Sequence, residues 1–60
     1  GRTVLDFILD ERFRRAKKML KETVSPVESV CRFCGFRSPS HAMTIFRKRY
    51  GLTMTEYRLR

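Results

Sequence analysis

Residues suited to an anionic partner are concentrated between Arg37 and Lys48. This stretch contains hydroxyl groups that donate and accept hydrogen bonds, one histidine, and cations that can neutralise phosphate oxygens. If the stretch is helical, one face is small, polar or basic and the other is mainly apolar. The outward face would carry Ser40, Met43, Thr44, Arg47 and Lys48, and the inward face Ala42, Ile45, Phe46, Arg49 and Tyr50.

Cys31 and Cys34 have the Cys-x-x-Cys spacing of some redox and zinc sites. Reactive thiol pairs lie at a helix N-terminus, whereas this pair is expected near the end of a helix and on its buried face. Zinc takes about four ligands, and only His41 remains to help. We therefore interpret both cysteines as small, reduced core residues, with a redox role open as the alternative. We expect no metal, no cofactor and no enzymatic activity, since no nucleophile and base are suitably spaced.

The first element that must position this chemistry is a long amphipathic helix over residues 3–22. Thr3 is its predicted N-cap, with Asp6 returning the hydrogen bond. Its last turns are basic, which we interpret first as a solvated face and second as a phosphate contact. The predicted apolar stripe comprises Leu5, Ile8, Leu9, Phe13, Ala16, Met19 and Leu20, and Val4 and Phe7 widen it near its start.

Two short helices are predicted over residues 25–51. The first has Ser25 as N-cap, proline next and Glu28 three residues after the cap, and it should continue to about Cys34. Gly35 can take the positive φ that ends a helix, which lets Phe36 fold back onto the core. Two helices joined by such a turn form a helix-turn-helix, whose second helix can enter a DNA major groove.

The second of these helices is predicted to begin at Ser38-Pro39 and to end at Gly51. A capping box over residues 53–56 then begins a last short helix within 53–60, from which Tyr57 can reach the core. No segment has the alternating pattern of a strand. The predicted fold is all-α, with a long linker helix, a helix-turn-helix and a short C-terminal helix.

Composition restricts the class of partner. The chain has 60 residues with 14 Lys+Arg against 6 Asp+Glu, which gives a net charge of +8. This charge favours nucleic acid first and an anionic membrane surface, contacted by residues 3–22, second. Neither a membrane span nor a signal peptide is recognisable, so we expect an intracellular, soluble protein.

A short internal repeat suggests duplication. The Gly, Thr, aliphatic, acidic and aromatic positions of Gly1–Phe7 match those of Gly51–Tyr57. Each segment consists of a glycine stop followed by a capped helix. We therefore expect residues 1–60 to be one helix-turn-helix subdomain of a longer protein, beginning where an earlier unit ends.

Taken together, these residues resemble the second half of the DNA-binding domain of AraC/XylS-type bacterial transcription regulators, over essentially the whole chain. The family pattern is matched on the linker helix by Arg12-Phe13, Ala16 and Leu20, then by Val27, Val30-Cys31 and Gly35-Phe36-Arg37-Ser38-Pro39-Ser40, and finally by Phe46, Arg47-Lys48, Tyr50-Gly51 and Glu56-Tyr57-Arg58.

The resemblance implies sequence-specific binding of double-stranded DNA, in the cytoplasm and associated with the nucleoid. The implied base-facing residues are Pro39, Ser40, His41, Met43 and Thr44, and the candidate phosphate contacts are Arg37, Ser38, Arg47 and Lys48. For His41, packing on the surface beside the turn is the alternative. The alternative function is a protein-interaction subdomain that contacts RNA polymerase or another subunit. A preceding helix-turn-helix unit and an effector or dimerisation domain are implied in the full-length protein.

Four positions depart from the family pattern. Ala42 replaces a large residue, so Phe33, Phe36 or Met43 is expected to fill the space. Thr44 stands where arginine is frequent, which weakens guanine recognition. The other two departures should change the fold little. Cys31 stands where the family usually has alanine and is also small, and Met54 stands where the family usually has proline at the start of the last helix.

Overall fold

The structure, a computed structural model, describes residues 3–60, so Gly1 and Arg2, with the first glycine of the internal repeat, lie outside it. Within those residues the chain forms four helices and no strand, which confirms the all-α prediction. In chain order they are α1 (Val4–Glu22), α2 (Val27–Phe33), α3 (Pro39–Tyr50) and α4 (Met54–Leu59).

Helix α1 begins at the predicted cap. The Thr3 side chain accepts a hydrogen bond from the Asp6 backbone N–H at 3.1 Å. The predicted return bond from the Asp6 carboxylate is replaced by a tertiary contact, because Asp6 Oδ1 lies 3.6 Å from Arg49 Nη1. The helix ends at Thr23, whose backbone N–H donates to the Met19 carbonyl.

The predicted start of α2 is wrong by one residue. Ser25 does not cap the helix: Pro26 is the N-cap, with φ −56° and ψ 147°, and it makes no side-chain capping bond. Upstream hydrogen bonds explain the difference, because the Ser25 N–H donates to Thr23 Oγ1 at 3.3 Å. The Thr23 hydroxyl in turn donates to the Met19 carbonyl at 2.8 Å, so this loop is tied to the end of α1.

The turn after α2 is built as predicted. Gly35 has φ +96°, a conformation that a side chain would strain. Its N–H donates to the Arg32 carbonyl at 3.1 Å, and the Phe36 N–H donates to the Cys31 carbonyl at 3.0 Å. This is the Schellman pattern, and it turns the buried Phe36 ring back onto the core.

The caps of α3 and α4 confirm the sequence predictions. Ser38 Oγ accepts from the His41 N–H at 3.3 Å, and α3 ends at Gly51 with φ +79°. Thr53 and Glu56 form a complete capping box, with bonds of 3.0 and 2.8 Å. The hydrogen bond from the Thr53 backbone N–H lowers the pKa of Glu56.

The core is centred on Phe13 of α1. Its ring centroid lies 4.9 Å from that of Phe36, 5.6 Å from Phe46 and 5.9 Å from Tyr50. Of the three side chains expected to fill the space beside Ala42, Phe33 is 77% exposed and does not, whereas Phe36 is buried and Met43 packs against the core. The buried core residues are Phe13, Ala16, Leu20, Val30, Cys31, Cys34, Phe36, Ala42, Phe46 and Met54.

The predicted apolar stripe of α1 is buried only in its C-terminal part. Val4, Leu5, Phe7 and Ile8 are 77, 64, 64 and 38% exposed. The reason is length: a 19-residue helix is about 28 Å long, whereas the 7 residues of α2 and the 6 of α4 span about 10 Å each. Helical spacing predicts which face is apolar, but not how much of it the neighbouring helices cover.

This arrangement bears on the membrane alternative. From Phe13 onward the apolar face of α1 is occupied by the core, so only its first two turns offer apolar side chains to an external surface. Among the described residues, no helix combines the length and apolar character needed to cross a membrane.

Helix α4 is fixed against the end of α1. Arg58 Nε donates to the Leu20 carbonyl at 3.0 Å, and Lys21 Nζ donates to the Arg60 carbonyl at 2.6 Å. The Lys21 ammonium also lies 4.8 Å from the Tyr57 ring centroid. These contacts join the first helix of the described chain to its last helix and C-terminus.

Candidate nucleic-acid interface

Helix α3 presents a polar, basic face that we call the outer face, formed by Ser40, His41, Thr44, Arg47 and Lys48, all exposed. Arg37 and Ser38 are exposed just before it. Two predicted members are placed differently: Pro39 is half-buried, and Met43 is half-buried and packs against the core. The outward placement of Met43 is therefore only partly correct, because part of its side chain packs against the core.

The two hydroxyl groups of the outer face, those of Ser40 and Thr44, differ in the hydrogen bonds they form within the helix. Thr44 Oγ1 donates to the Ser40 backbone carbonyl at 3.0 Å, so its proton is held within the helix. Its oxygen still has a lone pair for an external donor. Ser40 is exposed in the first turn of α3, the part of such a helix that approaches base edges.

The three cations at the end of α3 have different environments. Arg49 is half-buried and paired with Asp10 and Asp6, and its guanidinium lies 6.0 Å from the Phe13 ring centroid. Arg47 and Lys48 are exposed and form no ion pair of 4 Å or less within residues 3–60, although the Arg47 charge helps to lower the pKa of Glu56. Arg49 is therefore a core-facing support, while Arg47 and Lys48 are available to an external anion.

A cleft of about 370 Å³ lies between α1 and the start of α3, lined by Arg12, Arg37, Ser38 and His41 over an apolar floor. The Arg12 guanidinium carbon lies 5.7 Å from the Phe36 ring centroid, beside the glycine turn. Helical spacing alone did not single out Arg12. Its place in the Arg12-Phe13 pair of the family pattern is the signal that could have found it.

The basic run of α1 is not a uniform solvated face. Lys17 Nζ lies 4.4 Å from the Tyr50 ring centroid, a cation–π contact. Arg14 pairs with Glu11 at 3.4 Å, while Lys18 is exposed. Periodicity could not have found the contact with Tyr50, because it joins residues far apart in sequence.

Cys31 and Cys34 are free thiols in the core, as predicted. Burial raises the pKa of both, so both are protonated at neutral pH. His41 is exposed at the start of α3 and lines a different cleft from Cys34. Within the described residues, no three His, Cys, Asp or Glu side chains form a cluster suited to a metal.

A family model described as a helix-turn-helix domain matches residues 1–60. The chain belongs to the AraC/XylS-type helix-turn-helix family. Domains of this family bind DNA in transcription regulators.

Curated relatives are consistent with this assignment. The chain is 35% identical over 57 residues to LumQ of Photobacterium leiognathi, described as a probable transcriptional regulator, covering 95% of this chain and 23% of LumQ. It is 29% identical over 59 residues to the xylose operon regulatory protein of Haemophilus influenzae, covering 98% of this chain and 15% of that protein. The Escherichia coli K12 protein of the same name is 29% identical over 58 residues, covering 97% and 15%.

The chain therefore spans less than a quarter of the length of these relatives. No solved structure matches it.

Proposed function

We propose that this helix-turn-helix binds double-stranded DNA with the outer face of α3 in the major groove, as part of a bacterial transcription regulator. The proposal rests on the different environments of the cations at the end of α3. Arg49 is paired with carboxylates, whereas Arg47 and Lys48 are exposed and have no ion pair of 4 Å or less within residues 3–60. Exposed cations without a close ion pair, beside hydroxyl groups, favour contact with phosphates and bases.

Each residue has a definite role in this proposal. Arg37, Ser38, Arg47 and Lys48 contact phosphates, with Ser38 acting through its place at the N-terminus of α3. The base-facing set is Pro39, Ser40, His41, Met43 and Thr44. Among these, the hydroxyls of Ser40 and Thr44 can hydrogen-bond to base edges, and the half-buried Pro39 and Met43 offer apolar contacts to a thymine methyl.

The direct test is a fluorescence anisotropy titration of short duplexes at several salt concentrations. Because one phosphate contact is lost, Arg47→Ala should weaken binding to all duplexes alike. The slope of the logarithm of the binding constant against the logarithm of the salt concentration should become smaller in magnitude by about one. Lys18→Ala is a matched control: it removes the same charge from the side of α1 opposite the core, away from α3. Equal losses for the two variants, or no binding at low salt by a folded chain, would refute docking by α3.

The protein-interaction alternative has one observation in its favour, the 77% exposure of Phe33 at the end of α2. DNA binding by the double variant Ser40→Ala, Thr44→Ala distinguishes the protein-interaction function from base recognition. If these hydroxyls contact bases, the preference for a selected duplex over a random one should fall by about 1–3 kcal/mol. An unchanged preference and footprint would favour a surface for RNA polymerase or another subunit.

We also propose that residues 1–60 are one subdomain of a longer regulator, in which a preceding helix-turn-helix unit covers the first turns of α1. The exposed side chains of Leu5 and Phe7 and the short internal repeat support this. Phe7→Ser should leave the stability of the 60-residue chain nearly unchanged, but destabilise a chain that includes the preceding unit by about 2 kcal/mol. Chemical denaturation of both chains tests this, and equal effects would contradict it.

A further inference from the structure

Arg12 of α1 is a half-buried cation that has no acidic partner among the described residues. Its guanidinium carbon lies 5.7 Å from the Phe36 ring centroid, and a Cβ atom placed on Gly35 would lie 3.4 Å from its Nε atom. The side chain therefore lies against both the buried ring and the glycine turn. Within residues 3–60 Arg12 forms no ion pair of 4 Å or less, because the neighbouring Glu11 pairs with Arg14 instead, at 3.4 Å.

Arg49 is a useful comparison, because its surroundings are otherwise similar. It is also half-buried, and its guanidinium lies 6.0 Å from the Phe13 ring centroid, but it is paired with Asp10 and Asp6. A partly buried charge is unfavourable unless an opposite charge or hydrogen bonds compensate it. Arg12 receives no carboxylate from the described residues, which leaves its charge open to an external anion.

The other residues of the cleft indicate which anion this is. Arg12 lines the cleft of about 370 Å³ together with Arg37, Ser38 and His41, and none of the described residues that line it is acidic. Arg37 and Ser38 belong to the proposed phosphate contacts, and His41 belongs to the base-facing set. Ser38 Oγ accepts from the His41 N–H, so its hydroxyl proton remains for an external acceptor. A DNA strand that reaches Arg37 and Ser38 would pass the mouth of this cleft.

We propose that Arg12 binds a phosphate of the DNA backbone at the mouth of this cleft, beside Arg37 and Ser38. The inference rests on the proposed function, and it adds a contact from α1 to those made by α3 and the turn before it. Phosphate contacts determine how a protein is oriented on the duplex. Contacts from two helices would therefore fix the orientation of α3 in the groove more firmly than contacts from α3 alone.

The first test measures the DNA affinity of Arg12→Met by fluorescence anisotropy at several salt concentrations. Methionine keeps an apolar stem against the Phe36 ring but removes the charge. Because one phosphate contact is lost, the wild-type affinity should fall about 3.5-fold more than that of the variant between roughly 50 and 200 mM salt. Arg12→Lys, which keeps the positive charge, should retain most of the wild-type salt dependence.

Arg14→Met is the matched control. It is the same substitution on the same helix, at a 76% exposed side chain about 200° around α1 from Arg12 and so away from the cleft. This variant should leave the salt dependence nearly unchanged. Equal changes in Arg12→Met and Arg14→Met would overturn the proposal. A weaker affinity of Arg12→Met with unchanged salt dependence would also overturn it, since Arg12 would then only support the glycine turn.

A second test locates the contact on the DNA. In a duplex selected for binding, backbone phosphates are replaced one at a time by neutral methylphosphonates, and each duplex is titrated with the wild-type chain and with Arg12→Met. One replacement should weaken binding of the wild-type chain severalfold and leave binding of the variant unchanged. The absence of any such position would overturn the proposal.

The same titrations separate this inference from the proposed function. If the wild-type chain binds DNA and Arg47→Ala weakens binding as expected, while Arg12→Met binds like the wild type, only the role of Arg12 is overturned. If the folded wild-type chain does not bind DNA at low salt, both proposals fail.

Discussion

Each face of α3 contains an arginine, but the two arginines lie in different environments. The inner face contains Ala42 and Phe46, both fully buried, and Arg49, which is paired with acidic residues of α1. The outer face contains Arg47, only two residues away, which is exposed and has no ion pair within residues 3–60. Residue type alone therefore does not assign a function to an arginine in this helix; its angular position does.

The largest expected effect is on the inner face. Phe46→Ala removes a fully buried ring that contacts Phe13, Tyr50 and Tyr57, and should lower the free energy of unfolding by about 3–5 kcal/mol. Urea denaturation followed by circular dichroism measures it. Since a 60-residue domain has only about 3–9 kcal/mol in all, much of the variant should be unfolded.

The matched control for that change is Phe33→Ala, the same truncation at a 77% exposed site. It should alter stability by about 0.5 kcal/mol or less. Similar losses in both variants would mean that burial does not distinguish these two rings.

The intermediate effect concerns Arg49. Arg49→Met keeps much of the apolar stem but removes the ion pairs with Asp10 and Asp6, and should cost about 1–2 kcal/mol because the side chains are only about a quarter to a half exposed. A double-mutant cycle with Asp6→Asn measures the coupling directly. Coupling close to zero, here and in the same cycle with Asp10→Asn, would show that the inner arginine is as unconstrained as the outer one.

The smallest effect on stability is expected on the outer face. Arg47→Ala removes an exposed side chain with no ion pair among the described residues, so the free energy of unfolding should change by about 0.5 kcal/mol or less. The same variant should weaken DNA binding, which urea denaturation and anisotropy would report separately. A stability loss as large as that of Arg49→Met would remove the distinction between the two faces.

Local sequence predicted much of the fold. The caps at Thr3, Ser38 and Thr53 and the glycine stops at Gly35 and Gly51 are all found, because each depends on residues within one helical turn. The predicted cap at Ser25 is wrong. The Ser25 backbone N–H donates a hydrogen bond to Thr23 Oγ1, a contact outside the helical turn from which the cap was predicted.

Features that depend on tertiary contact could not be predicted in this way. Periodicity placed Phe7 in the apolar stripe, yet this side chain is 64% exposed, because α3 meets the first turns of α1 through Asp6 and not through Phe7. It assigned Met43 to the outer face, yet this side chain packs partly on the core. The contacts of Cys31 with Met54 and of Cys34 with Met19 join separate helices, and their spacing in sequence, 23 and 15 residues, carries no periodic signal.

The bonds from Arg58 to the Leu20 carbonyl and from Lys21 to the Arg60 carbonyl have a consequence for folding kinetics. They join residues 38 and 39 positions apart, so the whole helix-turn-helix lies inside the loop that they close. Because the entropy cost of closing that loop is offset only when α4 docks, we predict that α4 forms its contacts late in folding. Fraying of the six residues of α4 would break both bonds and reopen the loop, so we expect unfolding of the domain to begin at its last helix.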